Sequence, residues 1–268
     1  MKKHNFFIVS PFVLLIVASA FVLGLNCSQT SPKDLSKKND NISLASKDTV
    51  IISKDLLLGK MNYLTDTSFI EVEVPYANRK GQYMKKEAYA AYKKMYDAAL
   101  KDGVTLTIIS ALRSYVQQKS IWENKWTGKV KVDGVNLSVS VPNTEERAKT
   151  ILKYSSMPGT SRHHWGTDVD INSLTLVYFQ SPAGKKMYDW MCNNALKFGF
   201  CQPYTAGRSS GYEEEKWHWS YLPLAKKYLS AYKKQISIND LNGFLGSESA
   251  KNLDVIDRYV MVVNKDCQ

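Results

Sequence analysis

The chain has 268 residues, with 36 basic residues against 25 acidic ones and a formal charge of +11. Four cysteines are too few for a disulfide-built scaffold, and 44% hydrophobic residues at this length supply a full core. A solvated Lys-rich surface accounts for the charge, with attraction to anionic wall polymers or lipid head groups as the alternative, and no recognition motif supports a nucleic-acid partner.

Lys2, Lys3 and His4 form a basic start, and Phe6 to Leu25 is an almost unbroken apolar run ending at Asn26-Cys27. Such a start reads as an export signal, and a run of this length also fits a retained membrane anchor. Cys27, directly after Gly24-Leu25-Asn26, resembles a bacterial lipoprotein box and is the lipidation candidate, although Asn26 is not the usual small residue. Under lipidation, retention or plain cleavage alike, the rest of the chain is expected outside the cytoplasm, on the periplasmic or cell-surface side. The expected organisation is an export signal of lipoprotein type over 1–27, a polar flexible tether over 28–49, and one folded body over 50–268 with a helical C-terminal extension. No repeat or second composition shift divides the body, and a monomer is expected.

Within the body, Ala88, Ala91, Tyr92, Met95, Ala98 and Ala99 recur at helical spacing, with Gly103 as a C-terminal cap. Val104 to Ile109 reads as a buried strand delivering Ser110 to Tyr115 at its end. Gln117 to Trp126 predicts a helix broken at Thr127-Gly128. Lys129 to Val141 alternates around Asp133-Gly134, a hairpin signal. Thr144 to Tyr154 predicts a helix. Thr167 to Ile171 predicts a strand with Val169 and Ile171 toward the core and Asp168 and Asp170 on the opposite face. Ser181-Pro182 opens a helix that Gly199 ends, with Met187, Trp190, Met191 and Ala195 inward. Lys216 to Tyr221 reads as a short strand, and 222–232 and 240–259 as mostly helical. Helices mixed with short antiparallel strands make an α+β domain. A bridge between Cys192 and Cys201 is compatible with an oxidising compartment, as are buried thiols.

The residues with chemistry cluster in two segments. His163 and Asp170 fall in one, and His218 falls in the other with Glu215 three positions before it. Two imidazoles and a carboxylate leaving a fourth position open form the ligand set of a catalytic zinc. A glutamate outside that set is placed to act as general base. Only four histidines occur in the chain, one of them His4 in the leader, so the concentration here is specific. His164 is left over and is expected to pack the loop.

Ser161-x-His163-x-x-Gly166-x-x-x-Asp170 followed by Glu215-x-x-His218 resembles the zinc D-alanyl-D-alanine carboxypeptidases of the VanY type, the M15 peptidases. Ser110-Ala111-Leu112-Arg113-Ser114-Tyr115-x-x-Gln118 resembles the Ser-Gly-Tyr-Arg-Ser-x-x-x-Gln element of that family. Pro158-Gly159 and Gly199-Phe200 also match, and the similarity runs over about residues 55 to 235 in order. Two departures stand out: Asp168 replaces a usual small residue, and the segment between Gln118 and Ser161 is long.

The resemblance implies a small, largely antiparallel sheet flanked by helices with a zinc site in a cleft, the fold shared by hedgehog and D,D-peptidase domains. It implies Zn2+ held by His163, Asp170 and His218, Glu215 as base and then acid, and Arg113 on the substrate carbonyl. Ser161 and Gln118 become candidate substrate contacts. Asp168 is open between orienting a ligand histidine and contacting or selecting substrate groups. Trp165, Trp217 and Trp219 read as packing around the site, with stacking on substrate as the alternative. The implied partner is the peptidoglycan stem peptide, losing its terminal D-alanine, reached through a lipid anchor or helix at the membrane. Rival readings are an L,D-carboxypeptidase, a peptidoglycan endopeptidase, a non-catalytic zinc module that binds the wall, and a solute-binding lipoprotein. The Arg113 element favours an exopeptidase, because minimal phage endopeptidases of the clan resemble only the metal motifs.

Overall fold

The computed structural model describes residues 52–268. The expected leader, its Cys27 and the whole of the tether therefore lie outside the described residues. In chain order the first elements are α1 (Lys54–Leu58), β1 (Phe69–Glu71), β2 (Tyr83–Lys85), α2 (Lys86–Lys101), β3 (Ile108–Ser110), α3 (Tyr115–Trp126) and α4 (Leu137–Ser140). There follow α5 (Thr144–Leu152), β4 (Asp168–Ile171), α6 (Pro182–Asn194), β5 (Phe200–Cys201), β6 (His218–Tyr221), α7 (Leu222–Gln235) and α8 (Ser249–Asn252). Among the described residues, no helix is long and apolar enough to cross a membrane.

β1 and β2 pair with each other, while β3, β4, β6 and β5 form an antiparallel sheet in that spatial order. The fold is α+β, as expected. Alternation along β4 puts Val169 and Ile171 in a core with Trp219, with Tyr92 and Met95 of α2, and with Met187 and Met191 of α6. Asp168 and Asp170 take the other face, and all four residues are buried. A second core gathers Leu57, Trp122, Ile151, Trp165 and Tyr232 from the remaining helices.

Local signals set the helix ends where side chains can cap them. The Ser181 hydroxyl accepts from Gly184 N at 3.1 Å, with Pro182 in the first turn. Ser114 and Gln117 form a reciprocal capping box, so α3 starts at Tyr115, two residues before the expected position.

Four expectations are corrected. Only the end of 104–109 joins the ladder, because the Asn172 side chain serves Thr107 N at 2.6 Å and Thr105 O at 2.8 Å in place of a strand. Around Asp133-Gly134 a single Val132–Val135 bridge forms, and the chain then turns helical in α4. The 240–259 stretch, expected to be mostly helical, has only two short helical segments, α8 and a π-helical turn at Ile256–Val260, with Gly243 and Gly246 before them and Asp254 between them at positive φ. Tertiary contacts override its helical pattern: Trp122 donates to Leu245 O at 2.8 Å, and a Cβ at Gly246 would stand 2.2 Å from the Trp126 ring.

The fourth concerns the cysteines, for which the sequence leaves a Cys192–Cys201 bridge and buried thiols both open: the disulfide joins Cys201 to Cys267. Cys192 packs with the α2–α6 core, whereas Cys201 belongs to the other. The crosslink straps the C-terminal segment to β5 across a separation of 66 residues. Cys267→Ser should cost about 2–4 kcal/mol of stability, read as an earlier midpoint in urea unfolding without reductant. An unchanged midpoint would show that the strap contributes nothing.

Candidate active site

Antiparallel pairing sets Asp170 opposite His218 across β4 and β6, and Ser110 opposite Asp170 across β3 and β4. His163 arrives from a 3-10 turn, Arg162–Trp165, just before β4. Gly166 ends that turn at φ 68°, where a Cβ would stand 2.6 Å from the Phe69 ring. His164 fastens the turn: its Nδ1–H donates to Arg113 O at 2.7 Å, and Gly159 N–H donates to its Nε2 at 3.1 Å. That pattern needs a neutral ring, and burial pushes the His164 pKa down to about 3. Its place is in packing the loop.

His163 Nε2 and His218 Nδ1 each lie 3.3 Å from Asp170 Oδ1. One ligand atom from each residue falls within 4.8 Å of the others, and all three residues are buried. The far side of each ring is occupied. His163 Nδ1–H donates to Ala111 O at 2.7 Å, and His218 Nε2–H donates to Asp168 Oδ2 at 2.8 Å. His163 Nε2 and Asp170 Oδ1 are buried with no hydrogen-bond partner. These two orphaned acceptors and the nearby His218 Nδ1 form a donor set that a divalent metal satisfies.

The electrostatics agree. Burial opposes charge on Asp170, but the two histidines together outweigh it and hold the carboxyl well below its usual range. Burial also opposes a proton on His218, yet hydrogen bonds to Asp168, Asp170 and Glu215 hold its pKa well above the usual value. A metal held by His218 would take the place of that proton, with Asp168 still bonded to Nε2–H.

The three ligand candidates form part of the wall of a cleft of about 880 Å³, also lined by Arg113, Ser161, Glu215, Lys125, Tyr204 and Trp217. Glu215 Oε2 is 3.3 Å from His218 Nδ1, and its side chain is 14% exposed. Its backbone is held by Tyr204 O at 2.9 Å and by the Gln202 amide at 3.0 Å. Arg113 reaches Asp170 Oδ2 with Nη2 at 3.3 Å and Gln118 Oε1 with Nη1 at 2.9 Å.

Two expected substrate contacts are placed differently. Gln118 is fully buried between Arg113 and Ser156 O, and its neighbour Gln117 lines the cleft instead. Asp168 is also fully buried, behind His218, and does not line the cleft. It accepts four hydrogen bonds at 2.6–2.9 Å, from Thr167, Arg162, His218 and Ser220. Although burial opposes its ionisation, Arg162 and His218 hold it below the usual carboxylate range. Of its two readings, this position matches the orienting one.

Trp165 and Trp219 are fully buried, while Trp217 packs on Phe179 at 6.2 Å and lines the cleft. Sequence reasoning passed over Arg162, Lys125 and Tyr204. Tyr204 lies 4.9 Å from the His218 ring, ring centre to ring centre, and no spacing rule links it to the motif. Lys125 was accessible as the residue two helical turns beyond Gln118.

Asp168→Asn keeps the shape but removes the charge behind His218. Divalent-metal affinity should fall about 10- to 100-fold, measured by competition with a chromophoric chelator. Unchanged affinity would mean that Asp168 only packs.

The model of the VanY family, described as D-alanyl-D-alanine carboxypeptidase, matches residues 81–224. The protein YodJ of Bacillus subtilis (strain 168) is 34% identical over 145 residues, covering 53% of this chain and 47% of that protein. A D-alanyl-D-alanine carboxypeptidase of Enterococcus faecalis (strain ATCC 700802 / V583) is 28% identical over 130 residues, covering 48% and 44%. The chain thus spans about half the length of the curated relatives it matches. Among solved structures, the LdcB LD-carboxypeptidase aligns at TM-score 0.45 and 27% identity, over 69% of this chain and 78% of that one. VanYB in complex with D-alanine-D-alanine aligns at TM-score 0.43 and 24% identity, over 63% and 90%. The family match runs from before α2 to the start of α7 and takes in Arg113, His163, Asp170, Glu215 and His218, so this chain belongs to the VanY family.

Proposed function

We propose that this protein is a zinc-dependent D,D-carboxypeptidase that removes the terminal D-alanine from peptidoglycan stem peptides. The observation that carries the reading is the convergence of three buried ligand atoms within 4.8 Å on the wall of a cleft, with Glu215 beside them. Two imidazoles and one carboxylate suit zinc, and His163, Asp170 and His218 are the residues that would hold it. When bound there, zinc supplies a Lewis acid that polarises the substrate carbonyl and acidifies water.

The chain's own residues supply the rest. Glu215, largely shielded and fixed through its backbone, takes the proton of the attacking water and returns it to the leaving amine. Arg113, braced by Gln118 and Asp170, directs its guanidinium at the carbonyl oxygen as negative charge develops. Asp168 and Ala111 O fix the two rings from behind. Ser161 lines the same cleft and is the residue offered to the backbone of a bound peptide.

The export signal read in residues 1–27, with Cys27 as lipid anchor, fits a protein held at the membrane beside the wall polymer.

The test is D-alanine release from UDP-linked pentapeptide by the full chain, with and without a chelator and with zinc restored. The expected result is zinc-dependent release of one D-alanine. Glu215→Ala should lower kcat by about 10²–10⁴-fold while zinc stays bound. Release from tetrapeptide alone would reassign the protein as an L,D-carboxypeptidase. A Glu215→Ala variant as fast as the parent would overturn the role of Glu215.

A further inference from the structure

The cleft carries a cation that the chemistry above does not use. Lys125 projects from α3 two turns after Gln118, so the two residues share a helix face. That face packs on the 155–156 segment: Gln118 donates to Ser156 O, and the Lys125 ammonium donates to the Ser155 hydroxyl. Lys125 is half-buried and lines the same cleft as the candidate ligands.

Its surroundings are unusual for a shielded ammonium. Among the described residues it forms no ion pair within 4.0 Å. The cation near enough to act on it is Arg113, whose own Nε is buried with no hydrogen-bond partner. Burial, and after it the charge of Arg113, push the Lys125 pKa down, with only a partial offset from Glu215 and Asp133. A half-buried ammonium held near a second cation with no carboxylate on it is costly, unless an anion arrives to complete it.

We infer that Lys125 is a specificity-determining residue that holds the free carboxylate of the substrate's terminal residue. This rests on the exopeptidase reading above and names what makes the site cut from the chain end. In a carboxypeptidase substrate one carboxylate follows the scissile carbonyl by a single residue, about 3.8 Å of Cα–Cα travel. A carbonyl directed to Arg113 therefore brings its carboxylate into the same cleft that Lys125 lines. Two ammonium protons remain after the Ser155 bond, enough for a charge-assisted pair. A stem peptide with its terminus extended or capped brings no charge to this point, which disfavours endopeptidase cleavage.

The experiment compares one pentapeptide as its free acid and as its C-terminal amide, with zinc-loaded full chain. The wild type should cleave the acid at least about tenfold faster in kcat/KM. In Lys125→Met that ratio should collapse toward one, through a rise in KM for the acid, with zinc content and Tm retained. Lys125→Arg should restore most of the preference.

Equal loss on acid and amide in Lys125→Met would place the recognised anion elsewhere in the stem and overturn the inference. So would a wild type indifferent to the cap, a result that needs no variant. A wild type that releases nothing from the acid would instead overturn the proposed function itself, so the two failures are distinguishable.

Discussion

The register between β4 and β6 is the constraint on which the site depends. Pairing Asp170 with His218 puts a carboxylate and an imidazole side by side on one face of the sheet, while Val169 and Trp219, paired next to them, face the opposite core. A one-residue slip would exchange those faces, burying two aspartates among Tyr92, Met95 and Met191. The hydrophobic core and the metal-binding face therefore enforce the same register. His163 joins them only because Gly166 turns the chain sharply into β4.

Burying this much charge around the ligand candidates is tolerable because Arg162, Asp168, Arg113 and Asp170 are each tied to an opposite group. Arg162 and Asp168 form a fully buried pair at 2.9 Å, extended through Ser220 and His218. Arg113 and Asp170 form a second pair nearer the cleft, with Gln118 bracing the guanidinium. Removing one member of such a pair leaves its partner unsatisfied, so the networks hold their side chains in fixed positions. Asp168, which departs from the family's usual small residue, comes together with Arg162, and the two form one unit behind His218.

How much of this was legible in the sequence depended on the range of the interactions involved. His163, Asp170, Glu215 and His218 could be read because their residue types and spacing carry the chemistry directly. The helix opened by Ser181-Pro182 could be read because its cap is local. The Cys201–Cys267 bridge could not, since it spans 66 residues and depends on where the C-terminal segment docks. Residues 240–259 misled for the same reason: Trp122, Tyr115 and Lys119 of α3 take the carbonyls of Leu245, Asn242 and Gly243, and the helical pattern yields. Gln118 was recognised as a site residue, but its burial behind Arg113 follows from the packing of α3 on Ser156.

The central claim is that one preorganised set of two imidazoles and a carboxylate binds a single zinc. X-ray absorption at the zinc edge, on the full chain loaded with one equivalent, tests it most directly. The account predicts one tightly held zinc per chain with two imidazole nitrogens in its shell, lost in His163→Ala and in His218→Ala. A zinc shell without imidazole, or one unchanged in both variants, would contradict it.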